Sequence, residues 1–288
     1  MKTILITGAT GYIGSMLVKK LSEKYNVLGV SRKNESCNFY SWENLPKINI
    51  DVVIHLAGKA HDLDSKNYKD YYNANVLTTK LLIDFCNTKN VDQFIFLSTS
   101  KVYLNEFKQI KENSPKEAKN PYQETKIIAE NLIVSNLDST NYYILQPPIV
   151  ISNKEKGNIG LLKKIFSILP LWPLGGFKNS KSVISYKNLE FFIEQLITKK
   201  PKSNTFIVCD DKTVSTTDLI KLKFPDVRVI NTGKWIWNFT AFVCSFFRIK
   251  FFNKRVLQKL VKSETYSNQK IKKELNLYKT RYDVSQAG

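Results

Sequence analysis

The segment Thr3-Ile4-Leu5-Ile6-Thr7-Gly8-Ala9-Thr10-Gly11-Tyr12-Ile13-Gly14 decides the fold of this chain. Thr3 to Thr7 is a short run of β-branched and apolar residues, the pattern of a strand covered on both faces. From Gly14 to Lys24 the sequence reads as a helix. Gly8, Gly11 and Gly14 at the junction permit a tight turn and let the backbone approach a pyrophosphate. The N-terminus of the following helix offers unpaired N–H groups and a partial positive charge to the same anion. A glycine string alone is a weak sign. Its place between a strand and a helix is what gives it weight.

Outward from this segment the same alternation continues. Asn26 to Ser31, Asp51-Val52-Val53-Ile54-His55-Leu56-Ala57, Gln93 to Ser98 and Tyr142 to Leu145 read as further strands. Helices are expected through Ala74 to Cys86 and from Tyr122 to Val134. This order predicts an α/β fold built on a doubly wound parallel sheet. After Pro147-Pro148 the texture changes. Turn residues gather through Leu174-Gly175-Gly176, a strand returns at Thr205 to Cys209, and the final third is irregular and lysine-rich. The division expected is a dinucleotide-binding core over residues 1–150 and a smaller substrate-binding portion over 151–288, with returns to the core sheet.

At 288 residues, with 43 % apolar and 12 % aromatic side chains, the chain can bury a sizeable core and is not a disordered polymer. Its 44 basic against 25 acidic residues give a formal charge of +19, which suits nucleic acid or a membrane surface. Only Arg32, Arg228, Arg248, Arg255 and Arg281 are arginines, the residue that reads bases in bidentate fashion. No nucleic-acid partner is therefore expected, and most lysines are read as decoration of a solvated surface. Cys37, Cys86, Cys209 and Cys244 form no CxxC pair and the histidines are His55 and His61, so neither a zinc site nor a disulfide framework is expected. Glycines break the apolar N-terminal stretch and no cleavage site follows, which argues against a signal peptide. No uncharged apolar run reaches about 18 residues, so no membrane span is expected, and the cysteine spacing makes a reducing compartment, here the cytoplasm, the expectation. Trp235 to Phe247, flanked by Lys234, Arg248 and Lys250, is the most apolar stretch. Two readings of it stay open: packing within the protein or a dimer contact, and a peripheral seat on anionic lipid at the inner face of the membrane.

Asn120-Pro121-Tyr122-Gln123-Glu124-Thr125-Lys126 has the signature of a helix start, with Asn as N-cap and Pro at the first position. Tyr122 and Lys126 are four apart and share one helix face. An ammonium close to a phenol is expected to lower the phenol's pKa from about 10. A tyrosine so tuned can exchange a proton with a sugar oxygen while hydride moves at the same carbon. Upstream, at the end of the Gln93 strand, stands Ser98-Thr99-Ser100-Lys101-Val102-Tyr103.

The GxxGxxG spacing, the Tyr122/Lys126 pair and the Ser98–Tyr103 segment together resemble the extended short-chain dehydrogenase/reductases of the NAD-dependent epimerase/dehydratase family. The resemblance implies a Rossmann-type core with Thr99, Tyr122 and Lys126 as catalytic residues, Ser98 being the alternative to Thr99. It assigns cofactor contacts to Gly8, Thr10, Gly11, Tyr12, Ile13, Gly14, Leu56, Ala57, Gly58, Asn75, Ser98 and Pro148, besides Tyr122 and Lys126. Where an acidic residue would bind the ribose of NAD, this chain has Ser31-Arg32-Lys33, so Ser31 and Arg32 point to NADPH, with NAD as the other possibility. Sugar 4,6-dehydratases of the family carry Asp and Glu after the catalytic Thr, and Ser100 and Lys101 stand there instead. Gln146 replaces an Arg that members carry before the proline.

Leu169 to Gly175 and Lys178 to Leu189 resemble a bacterial UDP-sugar subgroup similar to UDP-glucose 4-epimerase, several of them 4-keto reductases. That resemblance places Asn158, Lys181 and Arg255 at the diphosphate or sugar, with Thr99 and Ser100 beside the reacting carbon. A nucleoside diphosphate sugar needs such cations and amides, and Lys181 stands where the family has an arginine, keeping charge but losing the fork. The expected activity is NADPH-dependent reduction of a UDP-linked 4-keto-6-deoxy-N-acetylhexosamine for surface polysaccharide. A UDP-hexose or UDP-N-acetylhexosamine 4-epimerase is the alternative. A non-catalytic dinucleotide-binding protein at the membrane is the reading from another class. A homodimer is expected by resemblance.

Overall fold

The computed structural model describes residues 1–31, 38–59, 67–106, 108–151, 166–167, 170–172, 175–176, 178–232 and 260–282. Strands β1 (Thr3–Thr7), β2 (Asn26–Val30), β3 (Phe39–Tyr40), β4 (Val52–His55), β5 (Gln93–Leu97) and β6 (Asn141–Gln146) come first along the chain. After the short β7 (Ile149–Ile151), β8 (Leu171–Trp172) and β9 (Val183–Ser185), β10 (Asn204–Ile207) rejoins the main sheet and β11 (Arg228–Val229) pairs with β8. The seven-stranded sheet has the order β10-β6-β5-β4-β1-β2-β3, and every neighbouring pair is parallel. This is the doubly wound Rossmann-type arrangement, with the change of direction between β1 and β4.

Period-two alternation sorts the strand residues between two helical layers. Ile4 and Ile6 of β1 face Leu17 and Leu21 of α1 (Tyr12–Leu21), joined by Phe192 and Leu196 of α5 (Tyr186–Lys199) and by Ile271 of α7 (Gln269–Glu274). Leu5, Val53, Phe94 and Phe96 face the other way, against Leu82 and Cys86 of α3 (Thr78–Lys89) and Ala129 and Ile133 of α4 (Pro121–Asn136). Residues after 150 thus build much of one core layer. A smaller cluster forms around Phe166, Trp172, Ile220 and Val227, with α6 (Thr216–Lys223) packed on it; the Phe166 and Phe224 rings meet edge to face at 4.9 Å.

Several boundaries differ from the sequence reading for local reasons. The first helix begins at Tyr12, because Gly11 already accepts from the Ser15 N–H. The helix expected through 74–86 starts at α2 (Tyr68–Tyr72), whose cap Asn67 accepts from Lys69 N–H, and passes through a π-helical turn at Asn73–Leu77. The β3 edge strand is too short to show a period. Among the described residues no helix is long and apolar enough to cross a membrane. The Trp235–Phe247 segment lies outside the described residues.

Phe192 is fully buried between α5 and the sheet, whereas Tyr278 is fully exposed. Phe192→Ala should cost about 3–5 kcal/mol, and Tyr278→Ala should stay within about 0.5 kcal/mol of the wild type, in urea unfolding followed by circular dichroism.

Candidate active site

The carboxyl ends of β1, β4, β5 and β6 line up, Thr7 beside His55, His55 beside Phe96 and Leu97 beside Leu145. The turns that leave these ends therefore share one edge of the sheet. The first turn is closed by the Gly11 N–H donating to the Gly8 carbonyl at 2.8 Å. Gly8 has φ +69°, and a Cβ there would lie 2.8 Å from the Ala57 nitrogen. A Cβ on Gly14 would lie 2.1 Å from the Gly8 carbonyl oxygen. The loop is thus pressed against both α1 and the chain leaving β4. Thr10 and Gly11 are exposed, Tyr12 and Ile13 half-buried, and no side chain caps α1. Such an uncapped helix start beside an open glycine turn fits a bound diphosphate.

Around the turn, the Leu56 and Ala57 N–H groups donate to the Thr7 carbonyl and hydroxyl, both at 3.3 Å. Asn75 rides the π-helical turn and is buried. Its amide donates to Thr125 Oγ1 at 3.0 Å and to the Lys59 carbonyl at 3.2 Å, and its oxygen accepts from Lys59 N–H at 2.8 Å. Asn75 therefore ties the Gly58–Lys59 turn to α4, the helix of Tyr122. His55 is fully buried between Thr7 and Thr79, and burial, helped by the Lys126 charge, holds its pKa well below the ordinary imidazole range. Ser31 is buried, its N–H donating to the Tyr40 carbonyl at 3.1 Å, and Arg32 lies outside the described residues.

Asn120 caps α4 by accepting from the Gln123 N–H at 3.1 Å, with Pro121 in the first turn. This cap presents Tyr122 to the end of β5, where Thr99 acts on its phenol. Lys126, one turn on, is buried; its Nζ donates to the Leu97 carbonyl at 2.9 Å and sits 4.3 Å from the centre of the Phe96 ring. Burial pushes the Lys126 ammonium down to about 8, opposed by the Glu130 carboxylate. The expectation for Tyr122 requires correction. Burial pushes the phenol up, Glu130 and Tyr71 push it further, and Thr99 alone pulls it down. Lys126 instead spends its charge on the Leu97 carbonyl, the Phe96 ring and Glu130.

The structure separates Ser98 from Thr99. The Ser98 hydroxyl donates to Glu130, whereas Thr99 Oγ1 accepts from the Lys101 N–H at 3.2 Å. Ser100 is fully buried, with its N–H on the Pro147 carbonyl at 2.9 Å and the Tyr266 hydroxyl 3.4 Å from its own carbonyl. Half-buried Pro148 follows on the strand exit. Lys101 forms a 2.5 Å ion pair with Glu264. Lys181 is buried near the same carboxylate, its pKa lowered by burial and by Lys101 while Glu264 opposes. Asn158, Arg255 and His61 lie outside the described residues. Glu130, Lys116, Glu264 and Tyr266 escaped the sequence reading. For Glu130 a signal existed, its place four residues beyond Lys126 on the same helix face. The Glu264 and Tyr266 contacts are long-range and had none.

With this geometry in place, comparison with known proteins is informative. A model of the NAD dependent epimerase/dehydratase family matches residues 4–168. UDP-glucose 4-epimerase of Vibrio cholerae is 30 % identical over 247 residues, covering 76 % of this chain and 74 % of the relative. The chain belongs to the NAD dependent epimerase/dehydratase family. UDP-glucuronic acid 4-epimerase from Bacillus cereus in complex with NAD superposes with a TM-score of 0.73 at 19 % identity, covering 99 % of this chain and 95 % of that one. Human epimerase family protein SDR39U1 (isoform 2) with NADPH superposes with a TM-score of 0.76 at 16 % identity, covering 99 % and 97 %. At these identities both structures speak for the shared fold.

The Gly14 contact gives a direct test. Gly14→Ala should lower stability by about 1–3 kcal/mol in urea unfolding, because its Cβ has only backbone to displace. It should also abolish retention of the protein on an immobilised nicotinamide dinucleotide.

Proposed function

We propose that the chain is a nicotinamide-dependent 4-epimerase of a UDP-linked hexose or N-acetylhexosamine. The observation that carries this reading is Tyr122 set close to Thr99 with the buried Lys126 one turn on, at the sheet edge that also carries the glycine turn. The Vibrio cholerae UDP-glucose 4-epimerase and the NAD-bound Bacillus cereus enzyme support it. The Gly8–Gly14 turn and the start of α1 would hold the diphosphate of the dinucleotide, with Leu56, Ala57, Gly58 and Pro148 lining its path and Lys126 near its ribose. When bound, the dinucleotide supplies reversible hydride exchange at the sugar's C4.

The chain's own residues supply the proton chemistry. Tyr122 must first lose its proton, which its raised pKa opposes; the phenolate then takes the proton from the 4-hydroxyl as C4 is oxidised to a ketone, and returns it when C4 is reduced from the other face. Thr99 holds O4 against the phenol. Lys126 places positive charge beside the site, where little water screens it. Lys181 contributes charge for the diphosphate. Oxidation and reduction cancel, so no cofactor is consumed.

A second reading, NADPH-dependent reduction of a UDP-4-keto-6-deoxy-N-acetylhexosamine, is favoured by the uncharged Ser31 at the end of β2, followed by Arg32. It uses the same three residues. Elimination of water is disfavoured, because Ser100 is buried and Lys101 is ion-paired where dehydratases of the resemblance carry an acid and a base.

Incubation with UDP-glucose and with UDP-N-acetylglucosamine, followed by NMR, should show C4 epimers forming without net change in absorbance at 340 nm. Tyr122→Phe should slow the reaction by about 10²–10⁴-fold while dinucleotide binding persists. No epimer, together with stoichiometric NADPH loss on a UDP-4-keto sugar, would transfer the assignment to the reductase. Because the Lys126 ammonium titrates near 8 and is lost as pH rises, turnover should decline on an alkaline limb through about pH 8.

A further inference from the structure

Behind the three residues assigned to the chemistry lies a second, fully connected layer centred on Glu130, which is 2 % exposed. One carboxylate oxygen accepts from the Ser98 hydroxyl and from Gln146 Nε2, the latter at 2.9 Å. The other accepts from Lys116 Nζ at 2.6 Å. Gln146 in turn accepts from the Tyr103 hydroxyl at 2.6 Å. These partners come from different parts of the chain. Ser98 precedes Thr99 at the end of β5, Gln146 ends β6 just before Pro147-Pro148, and Lys116 lies on the segment leading into α4. Glu130 itself shares a helix face with Lys126 and Tyr122.

We propose that Glu130 is a positioning residue for the reaction: it locks the ends of β5 and β6 to α4, and it is the buried negative charge that the Tyr122–Lys126 face is built against. The inference rests on the reading of Tyr122 and Lys126 as the reacting pair. Two consequences follow. The ends of β5 and β6, which set the Thr99–Tyr122 distance and the path of Pro148, are held by one side chain. Glu130 also keeps Lys126 cationic against the cost of burial and holds the Tyr122 phenol protonated to higher pH.

Other groups bear on the same charges. Lys116 and Ser98 touch Glu130 directly, and Tyr103 reaches it through Gln146, with Glu112 near Tyr103. His55, from β4, faces Lys126 and stays neutral. Tyr71, from α2, lies 6.5 Å from Tyr122 between ring centres, and Lys59 Nζ sits over the Tyr71 ring, 5.3 Å from its centre. Within this set Glu130 is the carboxylate that acts on both Tyr122 and Lys126.

Glu130→Gln keeps the shape and removes the charge. The titration midpoints of Tyr122 and Lys126, read by NMR on protein carrying ¹³C-tyrosine and ¹⁵N-lysine and assigned with Tyr122→Phe and Lys126→Met, should both move to lower pH. The alkaline limb of the kcat profile should move with the Lys126 midpoint. Glu130→Asp, which keeps the carboxylate, should return the midpoints towards the wild type while kcat stays reduced. Glu130→Gln leaves the Lys116 ammonium without its partner, so the double variant Glu130→Gln/Lys116→Met guards against a folding defect, and its midpoints should also fall. Unchanged midpoints in a folded charge-removed variant, or the same displacement in Glu130→Asp as in Glu130→Gln, would overturn the proposal. The NMR titration needs no turnover. A wild type that converts no UDP-sugar would therefore refute the proposed function while leaving the role of Glu130 to be judged on the midpoints.

Discussion

The Gly8 carbonyl oxygen sits where a Cβ on Gly14 would come within 2.1 Å and a Cβ on Gly11 within 2.9 Å, so backbone meets backbone with no side chain between. That contact sets where α1 can start. It also sets how close the first turn lies to Ala57, which follows β4, and so fixes the crevice at the sheet's change of direction. Nothing larger than hydrogen is accommodated at these positions without moving main chain. The same closeness leaves Thr10 and Gly11 open to solvent and α1 without a side-chain cap, features a compact loop filled by its own side chains would lack. A cradle for an anion and a rigid strand-to-helix junction are here one geometric requirement.

Charge imposes the second constraint. Placing the Lys126 ammonium inside the protein is costly, and burial lowers its pKa to about 8. The Leu97 carbonyl, the Phe96 ring and the Glu130 carboxylate offset that cost. Glu130 would be equally unfavourable alone, and Ser98, Gln146 and Lys116 satisfy both its oxygens. Lys116 reaches partly to solvent, so the chain of buried charge ends at the surface rather than in the core. A network satisfied in this way favours one arrangement of the β5 and β6 ends over its neighbours.

Much of this was legible in the sequence because it is local. A strand, three glycines and a helix between Thr3 and Leu21 leave little freedom, and Asn120-Pro121 announces the start of α4 through a cap that any isolated helix would use. Tyr122 and Lys126 lie on one face by helical periodicity alone. What escaped depends on distance in sequence. The choice between Ser98 and Thr99 turns on Glu130, 32 residues from Ser98. The neighbours of Lys101 and Ser100 come from Glu264 and Tyr266, 163 and 166 residues away, where no period or motif points. The sequence reading also assumed that Lys126 acts mainly on Tyr122. Desolvation dominates both groups, and it acts on a lysine and a phenol in opposite senses, lowering one pKa and raising the other.

That opposition bears on which reaction the site suits. Removing a proton from C5 of a 4-keto sugar, as elimination requires, calls for a carboxylate or phenolate near the sugar besides Tyr122. The side chain that follows Ser100 is instead Lys101, an ammonium fixed to Glu264. Glu264 in turn accepts from Tyr266, and its pKa is lowered by Lys101, Tyr266 and Lys181 against burial, so it is committed as a counter-ion. Tyr122, with Thr99 beside it and the Lys126 ammonium one turn on, is equipped to pass a single proton to and from one oxygen. Hydride exchange at a carbinol carbon needs that and no further acid or base, which is why epimerisation and keto reduction can share the same three side chains while dehydration cannot.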